Sequence, residues 1–304
     1  MRKGVNPEKI KGEKNIKKQH RVLVVFYIPN IEEEYYSESI SVLDACLNSL
    51  VNTINFKTTN ITIINNNSCE ETNSVIDKYM RKKQIDKYVM YTENKGKVNA
   101  VLSEARSVYE PYITITDCDV LFFKGWEQAV FDVFLNFSNA GVVAPLPVPF
   151  NTFYKNVSVF FNSFFLGKMK YEKIVNDADI DLYIKGINNK ALINKKGKYN
   201  WKEKQYYLKG DTNAIIGATH FVATYKSSIF RNQITYPELK FKNGYESEFI
   251  DRLADEKGLY RLSTEKSFAY HIGNQLDEFT INYSFNDVKL LDSSIFNSLI
   301  VAVY

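Results

Sequence analysis

The residues best suited to chemistry stand where an apolar run stops. Ile113-Thr114-Ile115-Thr116 leads into Asp117-Cys118-Asp119, and Val120-Leu121-Phe122 follows. Two carboxylates one residue apart at the end of a strand can divide labour. One reaches a sugar hydroxyl, and the other binds a hard divalent cation, Mg2+ or Mn2+, that also takes phosphate oxygens. Ligands of open α/β sheets bind outside the carboxyl ends of the strands, so the position of the pair argues for function more than its composition does. Asn65 closes an earlier apolar run and can donate to and accept from a nucleobase edge. Asn94-Lys95-Gly96-Lys97 sets a glycine and a lysine at a helix start, where backbone N–H groups and positive charge suit phosphate. His271, in Phe268-Ala269-Tyr270-His271-Ile272-Gly273, offers a neutral imidazole to the same metal. Cys118 is a poor nucleophile, because two flanking carboxylates raise its thiol pKa.

These groups need elements to hold them. Val22–Ile28 is apolar, rich in β-branched residues and bounded by Pro29 and Asn30, which predicts a buried strand. Ile40, Leu43, Leu47 and Leu50 recur at helical spacing behind Ser37 and Ser39, which can cap a helix. Ile61–Ile64 predicts a second strand, stopped by Asn65-Asn66-Asn67-Ser68. Val75, Ile76, Tyr79 and Met80 then share a helix face, with Glu70 and Glu71 in the first turn and Arg81–Lys83 in the last, matching the helix dipole. Tyr88–Tyr91 predicts a third strand, Lys97–Val108 a helix and Tyr112–Thr116 a fourth strand. The alternation predicts an α/β fold, Rossmann-like in wiring, with a mostly parallel central sheet covered on both faces.

Beyond Val120 the regularity fails. Residues 150–210 are rich in Phe, Tyr, Asn and Lys, with weak periodicity. Order returns with a predicted strand over Gly217–Tyr225 and a predicted helix over Glu246–Lys257. Residues 1–20 read as a flexible basic leader and residues 21–279 as one domain, whose half at 123–279 builds a substrate site on the half at 21–122. Residues 280–304 form a C-terminal extension. Its end, LLDSSIFNSLIVAVY, predicts an amphipathic element that packs on the body, joins a partner subunit or another copy, or touches a membrane.

Composition removes several classes. A chain of 304 residues with 45% hydrophobic content is not dominated by disorder. No run approaches the roughly 18 apolar residues of a transmembrane helix, and the start has no apolar signal core. Cys46, Cys69 and Cys118 show no CxxC spacing and are odd in number, which favours a reducing, cytoplasmic setting. The net charge is +4, yet Met1–Arg21 alone carries eight Lys/Arg against Glu8 and Glu13, so the remainder sums to −2. The basic leader suits an anionic membrane surface. No basic stripe with interleaved aromatics continues into the body, so nucleic-acid binding is not the main function.

Taken together, these residues resemble the GT-A glycosyltransferases, in particular the inverting, nucleotide-sugar-dependent family 2, over roughly residues 20–274. Ile64-Asn65-Asn66-Asn67-Ser68 is similar to the family's "V-D-N-x-S" turn. Asn94-Lys95-Gly96, Asp117-Cys118-Asp119 and Gly217-Ala218-Thr219 follow in order. Gly244-Tyr245-Glu246-Ser247-Glu248-Phe249-Ile250-Asp251-Arg252-Leu253 looks like the acceptor-side "G-E-D-x-D-L-x-x-R-L", and Tyr270-His271-Ile272-Gly273 closes the set. The resemblance implies that Asn65 contacts the base, with Pro29, Asn94, Gly96 and Lys97 also on the nucleotide-sugar side, and Asp117 the ribose. Asp119 and His271, with Asp117 beside them, would hold Mn2+ or Mg2+ on the diphosphate. Glu246 would be the general base, with Glu248 its rival. Three departures stand out: Asn65 replaces the usual aspartate, Tyr245 replaces a glutamate, and Glu246 is a methylene longer than aspartate.

Such an enzyme moves a sugar, hexosyl or N-acetylhexosaminyl, from a nucleotide-sugar such as a UDP-sugar to a hydroxyl of a glycan or lipid-linked acceptor. The family typically builds surface polysaccharide on the cytoplasmic face of a membrane, with peripheral contact. The reaction is an in-line displacement in which the base takes the acceptor proton and the metal absorbs charge on the departing diphosphate. Two rival readings exist. A sugar nucleotidyltransferase would need a glycine-rich basic loop after the first strand, where Pro29-Asn30-Ile31-Glu32-Glu33-Glu34 is acidic instead. A non-catalytic GT-A-like glycan-binding or partner subunit would not need Asp-x-Asp, Glu246 and His271 intact.

Overall fold

In the computed structural model, the apolar runs of the first half pair side by side as β1 (His20–Phe26), β2 (Thr59–Asn65), β3 (Lys87–Met90) and β4 (Tyr112–Asp117). The structure describes residues 4, 6, 17–165, 167–188, 199–231, 235–240, 242, 244–286 and 288–301, so most of the basic leader and residues 302–304 lie outside the described residues. The connections carry α1 (Ser39–Thr53), α2 (Thr72–Arg81) and α3 (Lys97–Ala105). Parallel strands covered on both faces need apolar side chains in both directions. Accordingly Val22, Leu23, Val24, Ile61, Ile63 and Ile113 are fully buried, each contributing about 1.5–3 kcal/mol relative to exposure.

Register places the chemistry. Phe26 pairs with Asn65 and Val25 with Asp117, so Asn65 and Asp117 flank the carboxyl end of β1. The chain then leaves the sheet at Cys118-Asp119 as β5 (Val120–Phe122), which pairs antiparallel with β12 (Ala269–His271). Val120 lies opposite His271, and Ile272 N donates to the Asp119 carbonyl at 2.7 Å. A two-stranded ribbon thereby carries a residue from far along the chain to the Asp-x-Asp turn.

The second half extends the same sheet. It contains α4 (Trp126–Asn136), β6 (Ala140–Ala144), α5 (Val157–Phe165), β7 (Met169–Glu172), α6 (Asp177–Ile187), β8 (Gln205–Leu208), β9 (Ala214–Ile216), β10 (Val222–Lys226) and β11 (Tyr260–Thr264). The ten-stranded order is β3-β2-β1-β4-β10-β6-β11-β9-β8-β7. Seven strands share one direction, and only β7, β9 and β10 are reversed.

Several expectations change in detail. Among the described residues, 150–210 hold two helices and two strands rather than irregular chain. The predicted strand over Gly217–Tyr225 starts later, as β10 at Val222, because β9 ends at Ile216 and the chain turns at Gly217. That residue has φ +136°, and a side chain there would collide with the Val148 carbonyl. The predicted helix over Glu246–Lys257 is a π-turn at Ser247–Asp251 followed by a short α-helix at Arg252–Glu256. Helix α1 has Glu38 at its N-cap with no side-chain cap, so the serines do not serve that role. Glu70 and Glu71 precede α2 rather than form its first turn. The C-terminal extension packs on the body. Asn55 Nδ2 donates to the Leu291 carbonyl at 2.8 Å, and the Phe296 ring meets Phe131 at 4.8 Å.

Candidate functional site

The carboxyl edge of the parallel half is built from polar side chains that satisfy one another. Asn65 is 1% exposed; its Oδ1 accepts from Ser68 N at 2.7 Å and its Nδ2 donates to the Tyr88 hydroxyl at 2.8 Å. Ser68 Oγ in turn accepts from Ile28 N at 2.9 Å, stitching the ends of β1 and β2 beside half-buried Pro29. Asn66 Nδ2 donates to Asn94 Oδ1 at 2.8 Å, and Asn66 Oδ1 accepts from Lys95 N at 2.8 Å. Asn94 Oδ1 also accepts from Gly96 N at 2.9 Å. Gly96 has φ +79°, and a Cβ there would strike the Lys240 carbonyl, so only glycine fits this turn. The turn delivers Lys97 to the start of α3.

Lys97 and the Asp-x-Asp pair then sort themselves. Lys97 Nζ lies 2.6 Å from Asp117 Oδ1 and 2.8 Å from Oδ2. Burial works against the lysine's charge, but Asp117, with smaller contributions from Glu246 and Asp119, raises its pKa above the ordinary value. Asp117 is therefore held by a cation of the protein. Asp119 is not. Its Oδ1 is buried with no hydrogen-bond partner, and its Oδ2 lies 3.4 Å from His271 Nε2. Burial, with Asp117 beside it, holds the Asp119 carboxyl above its ordinary range against the pull of His271 and Lys97. Burial likewise pushes the Cys118 thiol well up, so it is no nucleophile.

The arrangement suits a divalent cation on three counts. His271 Nδ1 lies 3.1 Å from the Gly186 carbonyl, which fixes Nδ1 as the protonated nitrogen and leaves Nε2 free to ligate. Gly186 allows that approach, since a Cβ there would sit 3.1 Å from the His271 carbonyl. The orphaned Asp119 Oδ1 supplies the second donor. Among the described residues no group of three or more His, Cys, Asp or Glu is placed to hold a metal ion. The site thus fits an ion that draws its remaining ligands from substrate phosphates and water, as Mg2+ commonly does.

The two acceptor-side carboxylates differ. Glu246 is half-buried and close enough to Lys97 to raise its pKa, whereas Glu248 is exposed. The π-turn that follows, a form frequent at functional sites, begins one residue after Glu246.

A second cluster escapes a sequence reading. Asp251 and Arg261 are both fully buried and form an ion pair at 3.0 Å, Asp251 Oδ1 to Arg261 Nη2. The Tyr154 hydroxyl donates to Asp251 Oδ2 at 3.2 Å, and His220 Nδ1 lies 3.4 Å from the same oxygen. Burial opposes the Asp251 charge, but Arg261 and His220 override it and hold the carboxyl below its ordinary range. The cluster joins Asp251 to Tyr154, 97 positions earlier, and to Arg261 on a separate element, and no local spacing announces it. His220 lines a cavity of about 430 Å3 together with Asp117 and His271.

A protein-family model described as glycosyl transferase family 2 matches residues 34–192. Among solved structures, GalNAc-T7 with UDP, GalNAc and Mn2+ superposes with a TM-score of 0.50 at 14% identity, over 85% of this chain and 44% of that one. TarS 1–349 of S. aureus in complex with UDP gives 0.43 at 14% identity, over 94% of this chain and 64% of that one. The mannosyltransferase PcManGT from Pyrobaculum calidifontis, in complex with GDP-Man and Mn2+, gives 0.35 at 17% identity, over 47% and 41%. This chain thus spans less than two thirds of each of these proteins, and the GalNAc-T7 likeness bears on fold alone. No curated protein sequence matches. The family match covers more than half of the chain and includes the Asp-x-Asp edge, so the chain belongs to glycosyl transferase family 2, on the GT-A α/β fold.

Proposed function

We propose that this protein is a metal-dependent inverting glycosyltransferase that moves a hexosyl or N-acetylhexosaminyl group from a UDP-sugar to a hydroxyl of a glycan or lipid-linked acceptor. The observation that carries the reading is the division of labour between the two aspartates. Asp117 is held by Lys97 at the sheet edge, ready for a ribose hydroxyl, and Asp119 faces His271 with an unpartnered oxygen. Asp119 and His271 would hold Mn2+ or Mg2+, which would supply charge neutralisation for the departing diphosphate. Lys97 and the amides at the start of α3 add positive potential on the donor side. Asn65 acts on the base side through the turn it fixes, with Pro29 and the Asn94–Gly96 turn bordering it. Glu246, half-buried and near Lys97, takes the proton of the acceptor hydroxyl. Glu248, exposed, is not needed for that step.

The UDP and Mn2+ bound in GalNAc-T7 support a uridine nucleotide and Mn2+. Among the described residues no helix is long and apolar enough to cross a membrane. We place the enzyme on the cytoplasmic side, in surface-polysaccharide synthesis, with its basic leader available to an anionic membrane. The test is a panel of UDP-, GDP-, dTDP- and CMP-sugars with Mn2+, read as donor turnover and thermal shift. One nucleotide should stabilise strongly. Asp119→Ala should abolish metal-dependent turnover, and Glu246→Gln should lower it about 100-fold or more while Glu248→Gln stays near wild type. Metal-independent binding without turnover of any donor would overturn the reading.

A further inference from the structure

We infer that His220, oriented by the buried Asp251, binds the acceptor: its Nε2 accepts a hydrogen bond from a hydroxyl of a sugar seated in the cavity beside Asp117 and His271. The inference rests on the glycosyltransferase reading above and goes beyond it, since nothing in the family motifs falls on His220.

Three observations combine. The first is an oriented imidazole. His220 Nδ1 points at Asp251 Oδ2 across 3.4 Å, while the imidazole side chain remains 49% exposed. With Nδ1–H directed to the carboxylate, Nε2 carries the lone pair. The second is that Asp251 is also held by groups other than His220. Arg261 Nη2 at 3.0 Å already pairs its charge, and the Tyr154 hydroxyl at 3.2 Å supplies a further donor. Asp251 is therefore fixed in place and can orient His220. The third is the space that His220 faces. The cavity measures about 430 Å3 and includes Phe150, Tyr183, Asp117 and His271 among its lining residues, within the range of about 300–1,000 Å3 common for small-ligand clefts. Aromatic rings beside hydrogen-bonding groups suit a sugar, which has both apolar faces and hydroxyls.

The charges around the imidazole select the ligand class. Asp251 stands behind it, Arg261 and Tyr154 behind Asp251, and Asp117 and His271 across the cavity. With Nδ1–H turned to Asp251, Nε2 is left to accept from a ligand rather than to donate. A neutral hydroxyl fits. Glu246 is not among the residues lining this cavity, so the two groups divide the acceptor side: Glu246 takes the proton, and His220 fixes the ring that carries the hydroxyl. The break at Gly217 sets the loop that presents His220. Asn151 Nδ2 ties that loop down through the Ala218 carbonyl at 3.0 Å.

The chain has three histidines, so nitrogen-15 labelling of histidine gives a spectrum assignable with a His220→Gln control. The probes are the methyl glycosides of glucose, galactose and N-acetylglucosamine, added to full-length protein with Mg2+ and whichever of UDP, GDP, dTDP or CMP binds. At least one should shift the His220 Nε2 resonance while Nδ1 stays protonated. With that glycoside as acceptor, His220→Ala should raise its KM about tenfold, as expected for loss of one hydrogen bond worth ~1.4 kcal/mol. The nucleotide Kd should not move, and kcat should fall less than KM rises. If the nucleotide binds but no glycoside perturbs His220, or if His220→Ala leaves acceptor KM at the wild-type value, the inference falls. If no nucleotide binds while glycosides still shift His220, the sugar site stands and the glycosyltransferase reading fails instead.

Discussion

The two edges of the site treat polar side chains in opposite ways. Along the carboxyl ends of β1 and β2, Asn65, Asn66, Ser68 and Asn94 bond to one another and to backbone, leaving no side-chain nitrogen or oxygen buried without a partner. Across the sheet, Asp119 keeps an unpartnered oxygen and His220 stays half exposed over a cavity. A satisfied network rigidifies; an unsatisfied group stores affinity for something absent. The first edge is therefore a frame that fixes backbone shape, and the second holds the groups proposed to meet metal and substrate. The Asp251–Arg261 pair belongs to the frame by its burial and to the working edge by its contact with His220. It is where the comparison is most easily broken.

Replacing Arg261 with Met should have the largest effect on stability. It strands a fully buried carboxylate, and breaking such a pair typically costs about 3–5 kcal/mol. The pH dependence makes the test specific. In the wild type the Asp251 pKa lies below its unfolded value, so its stabilisation is complete above the ordinary carboxylate pKa. It is lost as pH falls through the depressed value. Without Arg261, burial should outweigh the remaining pull of His220 and Tyr154 and raise the pKa, so the variant should be least stable at neutral pH and recover as the pH falls. Chemical denaturation from pH 4 to 8 should show the gap between the two proteins narrowing toward acid. A gap independent of pH would mean that Arg261 acts through packing alone.

A smaller effect is expected at the frame. Asn66→Ala removes two bonds, to Asn94 and Lys95, from a residue 2% exposed. The cost should be about 2 kcal/mol. Because the Gly96–Lys97 turn then loses its clamp, nucleotide affinity should also weaken severalfold, measured by calorimetry with UDP and Mn2+. A loss of stability with unchanged nucleotide affinity would show that the frame does not position the donor side.

The same contrast explains what the amino-acid sequence disclosed. The parallel half was legible because β1, β2 and β4 are buried on both faces and so spell continuous apolar runs, with helices of clear period between them. Asp117, Asp119 and Lys97 follow from strand ends and a helix start. The second half hid its elements for local reasons. Helix α5, VSVFFNSFF, is apolar nearly all round and shows no stripe, and β6, AGVVA, is short with small residues. Trp126, Val130, Phe131 and Phe134 of α4 do carry a helical period and could have been found. Nothing local marks Asp251, Arg261 and His220, whose meeting depends on β11 lying beside β6 and β9.

The finest test separates metal affinity from folding at a single oxygen. Folding raises the Asp119 pKa, which means the folded protein works against the ionised carboxylate. Asp119→Asn removes that charge and should leave the metal-free protein as stable or raise Tm by about 1–2 °C, less than 1 kcal/mol for a chain this long. By the linkage sign, any advantage over wild type should be present at neutral pH and shrink as the pH falls through the raised pKa, where wild-type Asp119 takes up its own proton. With Mn2+ and the cognate nucleotide the order should invert, because ligand binding stabilises only the protein that retains the metal donor. If Asp119→Asn instead lowers Tm without ligand, Asp119 is part of the frame after all, and the division between the two edges fails at the residue on which it most depends.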